Sequence, residues 1–165
     1  MERPTLRVAL AVACGEKKRE GQCPACDLYG SSRIKIFCRL RHEWDFPLYI
    51  LSAKYGLIHA DHIVQSYQQK MDLSRAEELA PQVAQIMKGF DWFIYFKGGA
   101  GPEYSACIRL AADLARVPVA LVGYANLGEY RACISVAQEL QRGGVPPPGS
   151  VKSLELIGAG NVRRD

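Results

Sequence analysis

Short apolar runs alternate along the chain with segments in which apolar residues recur at helical spacing. Uninterrupted apolar runs of this kind are typical of strands that are buried on both faces of a parallel sheet. The predicted strands are residues 6–13, 47–52, 92–96 and 117–122. The predicted helices are residues 31–44, 74 to about 88, 102 to about 115, and a last one that ends near 141. Residues 55–71 show neither pattern and are predicted to be irregular.

The alternation of strands and helices defines the fold class. It predicts an α/β fold, a three-layer α/β/α arrangement with a mostly parallel four-stranded central sheet and right-handed crossovers. Residues 1–142 are predicted to form a single α/β domain. Residues 143–165 begin with Gly-Gly-Val-Pro-Pro-Pro-Gly and are predicted to be a C-terminal tail that adds a short edge strand at residues 154–157.

Composition changes this picture little. The chain has 165 residues, of which 48% are hydrophobic and 23% charged, as in ordinary globular proteins. No apolar run approaches the roughly 20 residues that span a bilayer, and no signal-peptide core precedes the first strand. We therefore expect a cytoplasmic protein with no membrane partner. The net charge of +4 permits a nucleic-acid or nucleotide partner without requiring one.

Six cysteines add candidate chemistry. Cys107 and Cys133 fall on apolar positions of predicted helices and are expected in the core. Cys23 and Cys26 form a Cys-x-x-Cys pair, a spacing that suits zinc or an iron–sulfur (Fe-S) cluster, and Cys14 would make a three-cysteine set. In a reducing cytoplasm a disulfide framework is not expected. We predict that Cys23 and Cys26 either share one metal or are both free thiols.

Three of the predicted strands end in glycine and a cation, at residues 14–18, 52–56 and 97–101. In parallel α/β sheets ligands bind beyond the carboxyl ends of the strands, so these segments predict a pocket at that edge. The glycine loop at residues 98–101 would turn backbone N–H groups toward an anion, or would simply form a tight turn. Cys14 is a thiol close to lysines and is therefore either a candidate nucleophile or a buried cysteine that closes the strand.

Four motifs follow one another along the chain. They are Cys14 with Lys17, Asp27-Leu28-Tyr29, the string Leu-Ser-Ala-Lys-Tyr-Gly-Leu at residues 51–57, and Tyr67. Together they resemble the small, largely uncharacterised YaaA-like proteins, a family with a peroxide-stress member, and more distantly the uracil-DNA-glycosylase-like superfamily. The resemblance covers roughly residues 6 to 105. It implies a three-layer α/β/α domain with a pocket for a nucleobase, a nucleotide or DNA, and no established reaction. Cys23 and Cys26 depart from the usual family pattern.

These observations lead to a set of candidate site residues. The predicted catalytic residues are Cys14, Lys17, Ser52 and Lys54. The predicted ligand-binding residues are Tyr29, Tyr55, Gly56, Tyr67, Gly98, Gly99, Gly101, Glu103 and Tyr104. The predicted metal ligands are Cys14, Cys23 and Cys26. Lysine suits a phosphate or carboxylate, and the tyrosines suit stacking on a base or donating a hydrogen bond to it.

The expected function is an enzyme that acts on a nucleobase, nucleoside or nucleotide, by glycosidic-bond cleavage or exchange or by base modification. Two alternatives stay open at this point. One is a DNA-binding stress-response protein without catalysis, and the other is a cysteine-ligated metalloprotein. The expected partner is a nucleobase-like or nucleotide-like small molecule, with nucleic acid as a further candidate.

Overall fold

The protein is described by a computed structural model that covers residues 5–14, 18–124, 129–147, 149, 151–158 and 160. Its strands are β1 (Val8–Ala13), β2 (Gln22–Pro24), β3 (Leu48–Ser52), β4 (Gly56–His59), β5 (Ile63–Gln65), β6 (Trp92–Phe96), β7 (Val119–Gly123) and β8 (Ser153–Ile157). Its helices are α1 (Ala25–Leu28), α2 (Ser32–Leu40), α3 (Leu73–Met87), α4 (Pro102–Ala115) and α5 (Tyr130–Gln141), with a 3₁₀ turn at Arg41–Glu43.

A six-stranded sheet in the order β4-β3-β1-β6-β7-β8 organises the molecule. The four strands β3, β1, β6 and β7 run parallel, and β4 and β8 add an antiparallel strand at each edge. β2 and β5 form a separate antiparallel pair. The mostly parallel α/β class is therefore confirmed. The carboxyl ends of the four parallel strands lie along one edge, which is where a ligand site is expected.

The strands bury both faces, and their side chains divide between two hydrophobic clusters. Leu10 of β1 belongs to the cluster that contains Phe37 of α2. The next residue, Ala11, belongs to the cluster that contains Val83 of α3 and Ile108 of α4. Successive side chains of a strand point to opposite faces of the sheet, and both faces of β1 are apolar, so its residues alternate between the two clusters. Small alanines on the second face let α3 and α4 lie close to the sheet.

The prediction of a four-stranded central sheet is wrong, because the sheet has six strands: the predicted tail strand joins it as β8, and β4 was not predicted. β4 lies in the segment predicted to be irregular, and it begins at Gly56, whose φ of +75° reverses the chain after β3. Gln82 of α3 then holds the outer edge of β4: its side chain accepts from the Leu57 N–H and donates to the Leu57 carbonyl, both at 2.9 Å. A helix side chain thus replaces the missing neighbour strand.

Helix ends also differ from the predictions. α2 begins at Ser32 and is capped by Ser31, which accepts a hydrogen bond from the Ile34 N–H. α3 begins at Leu73, one residue before the predicted start, and its cap is Asp72, which accepts from the Arg75 N–H at 2.7 Å. Asp72 has the extended backbone that a capping residue requires.

The tail contributes an edge strand, since β8 pairs antiparallel with β7 along its whole length. Arg109 of α4 forms an ion pair with Glu155 of β8, which ties the tail to the helix that begins at the glycine loop. Among the described residues, no helix has the length and apolar composition needed to cross a membrane.

Candidate functional site

Ser52 occupies the carboxyl end of β3 and organises the centre of the site. It is fully buried, and its hydroxyl oxygen accepts from the backbone N–H groups of Lys54 and Tyr55. Serine at a strand end commonly binds the following turn in this way. The hydroxyl donates in turn to the Tyr67 oxygen at 2.7 Å. A turn-forming residue is therefore also the anchor of a buried polar network.

The network extends across the ends of neighbouring elements. The hydroxyls of Tyr67 and Tyr29 are 2.8 Å apart, and both side chains are buried. The Cys14 sulfur, at the end of β1, is 3.2 Å from the Tyr104 hydroxyl in the first turn of α4. We call Cys14, Tyr29, Ser52, Tyr67 and Tyr104 the hydroxyl cluster. It brings together residues from positions 14 to 104 at the carboxyl edge of the sheet.

Burial raises the pKa values of the tyrosines in the hydroxyl cluster. Removal from water raises the pKa of Tyr29 to about 12, and the same cause raises the pKa values of Tyr67 and Tyr104 far above their ordinary range. These phenols therefore stay neutral at physiological pH. Neutral hydroxyls donate and accept hydrogen bonds, which suits recognition of a polar, uncharged ligand edge better than proton abstraction.

Cations and an aromatic wall flank the cluster. The Lys18 ammonium lies 4.5 Å from the centre of the Tyr67 ring and 5.9 Å from that of Tyr29. The Tyr55 ring meets the Tyr67 ring edge to face at 5.4 Å, and its hydroxyl donates to the Gln65 carbonyl. The exposed Lys54 ammonium lies 5.3 Å from the centre of the Tyr55 ring. The half-exposed Tyr55 ring thus presents an aromatic surface next to the Lys54 cation.

The glycine loop packs against Arg33 of α2. Gly98 has a φ of +51°, and a Cβ atom there would lie 2.6 Å from the Tyr124 hydroxyl and 2.8 Å from Arg33 Nη1. Both the backbone conformation and the close side chains therefore favour glycine at position 98. Gly99 is less restricted, because its nearest neighbour, Arg33 Nη1, would be 3.8 Å from an added Cβ. Arg33 Nη1 also donates a long hydrogen bond, 3.4 Å, to the Lys97 carbonyl.

Tyr95 of β6 adds an unsatisfied group beneath this loop. It is completely buried, and its hydroxyl is without a hydrogen-bond partner in the described structure. Burial raises the pKa of Tyr95, while the nearby Arg33 cation lowers it, and the same two effects act on Tyr124, whose pKa rises to about 12. A buried hydroxyl without a partner costs about 1–3 kcal/mol, so its retention points to a ligand or water at this position.

The outer side of the glycine loop borders an open cavity of about 450 Å³. Its lining residues are Lys97, Gly98, Ala100, Pro102, Ser105, Ala106 and Arg109. The Arg109 guanidinium at this cavity is already paired with Glu155. No member of the hydroxyl cluster lines this cavity.

Several predicted site residues lie elsewhere. Gly56 contacts Gln82 at the sheet edge and serves the β3–β4 turn. Gly101 precedes α4 as its N-cap, and the Glu103 carboxylate lies against it. Lys17 falls outside the described residues. Its neighbour Lys18 supplies a cation to the cluster.

The cysteine predictions need a correction. Cys26 of α1 forms a disulfide with Cys38 of α2, so Cys26 is neither a free thiol nor an available metal ligand. Cys23 is a half-buried free thiol in β2. In the described ranges, no group of three or more His, Cys, Asp or Glu side chains is arranged to hold a metal. The expected core positions of Cys107 and Cys133 are confirmed, since both are fully buried.

Two residues of the site were missed by sequence reasoning. No sequence pattern separates Arg33 from Lys35 and Arg39 on the same helix, which are exposed. Tyr95 looked like an ordinary core position within an apolar strand. For Arg33 the signal was its position, since it lies shortly after the Ser31 cap and at the start of α2, near the predicted pocket edge.

Comparison with known proteins adds a family to this geometry. The family model described as Family of unknown function (DUF6884) matches residues 8–129. Searches of curated proteins and of solved structures each give no match. The matched segment runs from the start of β1 to the residue before α5, which is most of the chain and includes the whole hydroxyl cluster. The chain therefore belongs to the DUF6884 family.

Proposed function

We propose that this protein is an enzyme acting on a nucleobase, nucleoside or nucleotide, by glycosidic-bond cleavage or exchange or by base modification. The observation that carries the proposal is the hydroxyl cluster at the carboxyl edge of the sheet. The proposal keeps the predicted three-layer α/β/α arrangement as its frame. The resemblance to YaaA-like and, distantly, uracil-DNA-glycosylase-like proteins supports the same class of ligand.

The chemistry of the cluster suits the edge of a base. A nucleobase presents neutral donors and acceptors on its rim and an apolar face above and below. The Tyr29 and Tyr67 hydroxyls are neutral at physiological pH, as tyrosines ordinarily are, and burial raises their pKa values further, so they match such a rim without a charge mismatch. The half-exposed Tyr55 ring provides a stacking surface, for which about 1–3 kcal/mol per base is typical.

In this proposal Cys14 is the nucleophile and Tyr104 positions it. The sulfur lies at the end of a buried strand, with the Tyr104 hydroxyl 3.2 Å away. One of the Tyr29 and Tyr67 hydroxyls donates to the other, so the remaining hydroxyl hydrogen of the pair would donate to the departing or modified base. The anchor Ser52 holds Tyr67 in place and has no direct role in the reaction.

A ligand screen tests the proposal. Nucleobases, nucleosides, nucleotides and short DNA are titrated against wild type, Tyr67→Phe and Gly99→Val, with Tyr130→Phe as the matched control outside the cluster. We expect Tyr67→Phe to weaken binding by about 1–3 kcal/mol, the range for a lost hydrogen bond in a buried site. Gly99→Val should block the loop while the fold is kept, because this exposed glycine has open space around it.

Turnover is tested separately on any ligand that binds. Product formation should stop in Cys14→Ala and continue in Cys23→Ala, which removes a free thiol outside the cluster. Salt-dependent binding of DNA with no turnover of any ligand would instead support the DNA-binding alternative. If no base, nucleoside, nucleotide or DNA binds wild type, the proposal is wrong.

A further inference from the structure

Arg33 has a position that its structural contacts do not explain. Its side chain is half-buried and crosses from α2 to the end of β6, where it makes one long hydrogen bond of 3.4 Å to the Lys97 carbonyl. Throughout the described part of the chain, no carboxylate forms an ion pair with it. A guanidinium offers five N–H donors in a planar fork, so most of its donors remain for another group.

The backbone next to Arg33 offers further donors. The N–H groups of Gly98 and Gly99 form no hydrogen bond to another described residue. Gly98 brings the loop so close to Arg33 Nη1 that an added Cβ would lie 2.8 Å away. A guanidinium and two glycine N–H groups on one loop form a surface that favours negative charge.

A second polar group in the neighbourhood of Arg33 also lacks a partner. The Tyr95 hydroxyl is completely buried, lacks a partner in the described structure, and lies within electrostatic reach of Arg33. An unpartnered buried hydroxyl is costly, and an acceptor oxygen that reached it from the Arg33 side would remove this cost.

We propose that Arg33, with the Gly98–Gly99 backbone and the Tyr95 hydroxyl, binds a phosphate group of the ligand, so that the substrate class is a nucleoside phosphate. The inference rests on the proposed function, which leaves free base, nucleoside and nucleotide open. Arginine is suited to phosphate because its fork binds two oxygens at once.

The sheet order fits a ligand of this length. Gly98 follows β6 and Ser52 ends β3, with β1 between them. Strands are spaced by about 4.8 Å, so the two ends lie about 10 Å apart along the edge. A phosphate at Arg33 therefore leaves the base of the same nucleotide within reach of the hydroxyl cluster.

The test compares ligands that differ only in the phosphate. For each base, the nucleoside and its monophosphate are titrated by calorimetry at matched ionic strength, and inorganic phosphate is assayed by thermal shift. The variants are Arg33→Gln and Arg33→Lys. Arg39→Gln is the matched control, because it removes the same charge from an exposed position on the same helix. Circular dichroism and the melting temperature report whether each variant is folded.

We expect wild type and Arg39→Gln to bind the monophosphate at least about tenfold more tightly than the nucleoside, the effect of one charge-assisted bond. Arg33→Gln should remove this preference while nucleoside affinity stays, and Arg33→Lys should keep part of it.

Equal affinity of wild type for nucleoside and monophosphate overturns the inference and leaves the proposed function standing. If inorganic phosphate alone binds, and Arg33→Gln abolishes that binding, the phosphate site stands while the nucleobase pocket fails. A folded Arg33→Gln that keeps the preference also overturns the inference.

Discussion

Buried hydroxyls, more than charges, define the chemistry of this site at the level of single residues. The oxygens of Ser52, Tyr67 and Tyr29 form a chain with separations of 2.7 and 2.8 Å. Such networks specify one arrangement when every member is satisfied, and they are costly when one is not. Tyr95 is the member of the region whose hydroxyl has no partner in the described structure. It therefore offers the sharpest residue-scale test of whether the region evolved for folding or for binding.

Tyr95→Phe should raise stability and lower ligand affinity together. Removing an unsatisfied buried hydroxyl should increase the free energy of unfolding by about 1 kcal/mol, the low end of the usual penalty. The same variant should bind a nucleoside monophosphate several-fold more weakly. Urea unfolding and calorimetry measure the two quantities. A variant that is less stable than wild type would show that the hydroxyl already has a structural partner.

At the scale of elements, the disulfide between Cys26 and Cys38 ties α1 to α2. The two cysteines are 12 residues apart, and the loop between them carries both Tyr29 of the hydroxyl cluster and Arg33. A covalent loop of this length restricts the unfolded chain and stabilises the native one by about 2–3 kcal/mol. The cross-link thus supports the segment that joins the two parts of the site.

A thiol count on denatured, non-reduced protein should find four free thiols, those of Cys14, Cys23, Cys107 and Cys133, and all six after reduction. Cys38→Ser should lower the free energy of unfolding by about 2–3 kcal/mol in non-reducing buffer. In reducing buffer this difference should largely disappear. Cys23→Ser, which removes a free thiol, is the control. Six free thiols before reduction would contradict the pairing.

The elements also show what the sequence could and could not predict. The strand at residues 92–96 was predicted with its final bounds, because five consecutive apolar residues need burial on both faces. β4 was missed, because its identity depends on the turn at Gly56 and on Gln82 of a later helix. The carboxyl-edge position of Cys14 and Ser52 follows from strand direction alone. The contact of Ser52 with Tyr67 does not, because no local pattern fixes how an intervening loop folds back.

At the scale of the whole molecule, several buried tyrosines make the fold sensitive to alkali. Burial raises the pKa of Tyr29 from 10.0 to about 12, and it raises that of Tyr124 in the same way. Between pH 10.0 and about pH 12 the unfolded chain releases tyrosine protons that the native chain still holds, so the free energy of unfolding falls as pH rises. Below pH 10.0 both states are protonated at these tyrosines, and the stability contributed by keeping them neutral is fully present.

We therefore expect the free energy of unfolding to decline from about pH 10 upward, by about 2–3 kcal/mol for each such tyrosine over two pH units. Tyrosinate absorbance should rise together with the loss of circular dichroism, since the buried rings ionise on unfolding. Tyr29→Phe should show a shallower decline than wild type. Smooth ionisation of all tyrosines while the protein stays folded would contradict the buried network.

The contact between Cys14 and Tyr104 joins residues that are 90 positions apart. A site assembled across such a distance requires that the ends of β1 and β6 and the start of α4 are folded together. A ligand that needs the full site binds only the native state, so it stabilises the whole fold by RT ln(1 + [L]/Kd). The slowest-exchanging amides of β1, β3 and β6 should then gain equal protection on ligand addition. Ligand binding would therefore favour a fold that unfolds as one cooperative unit.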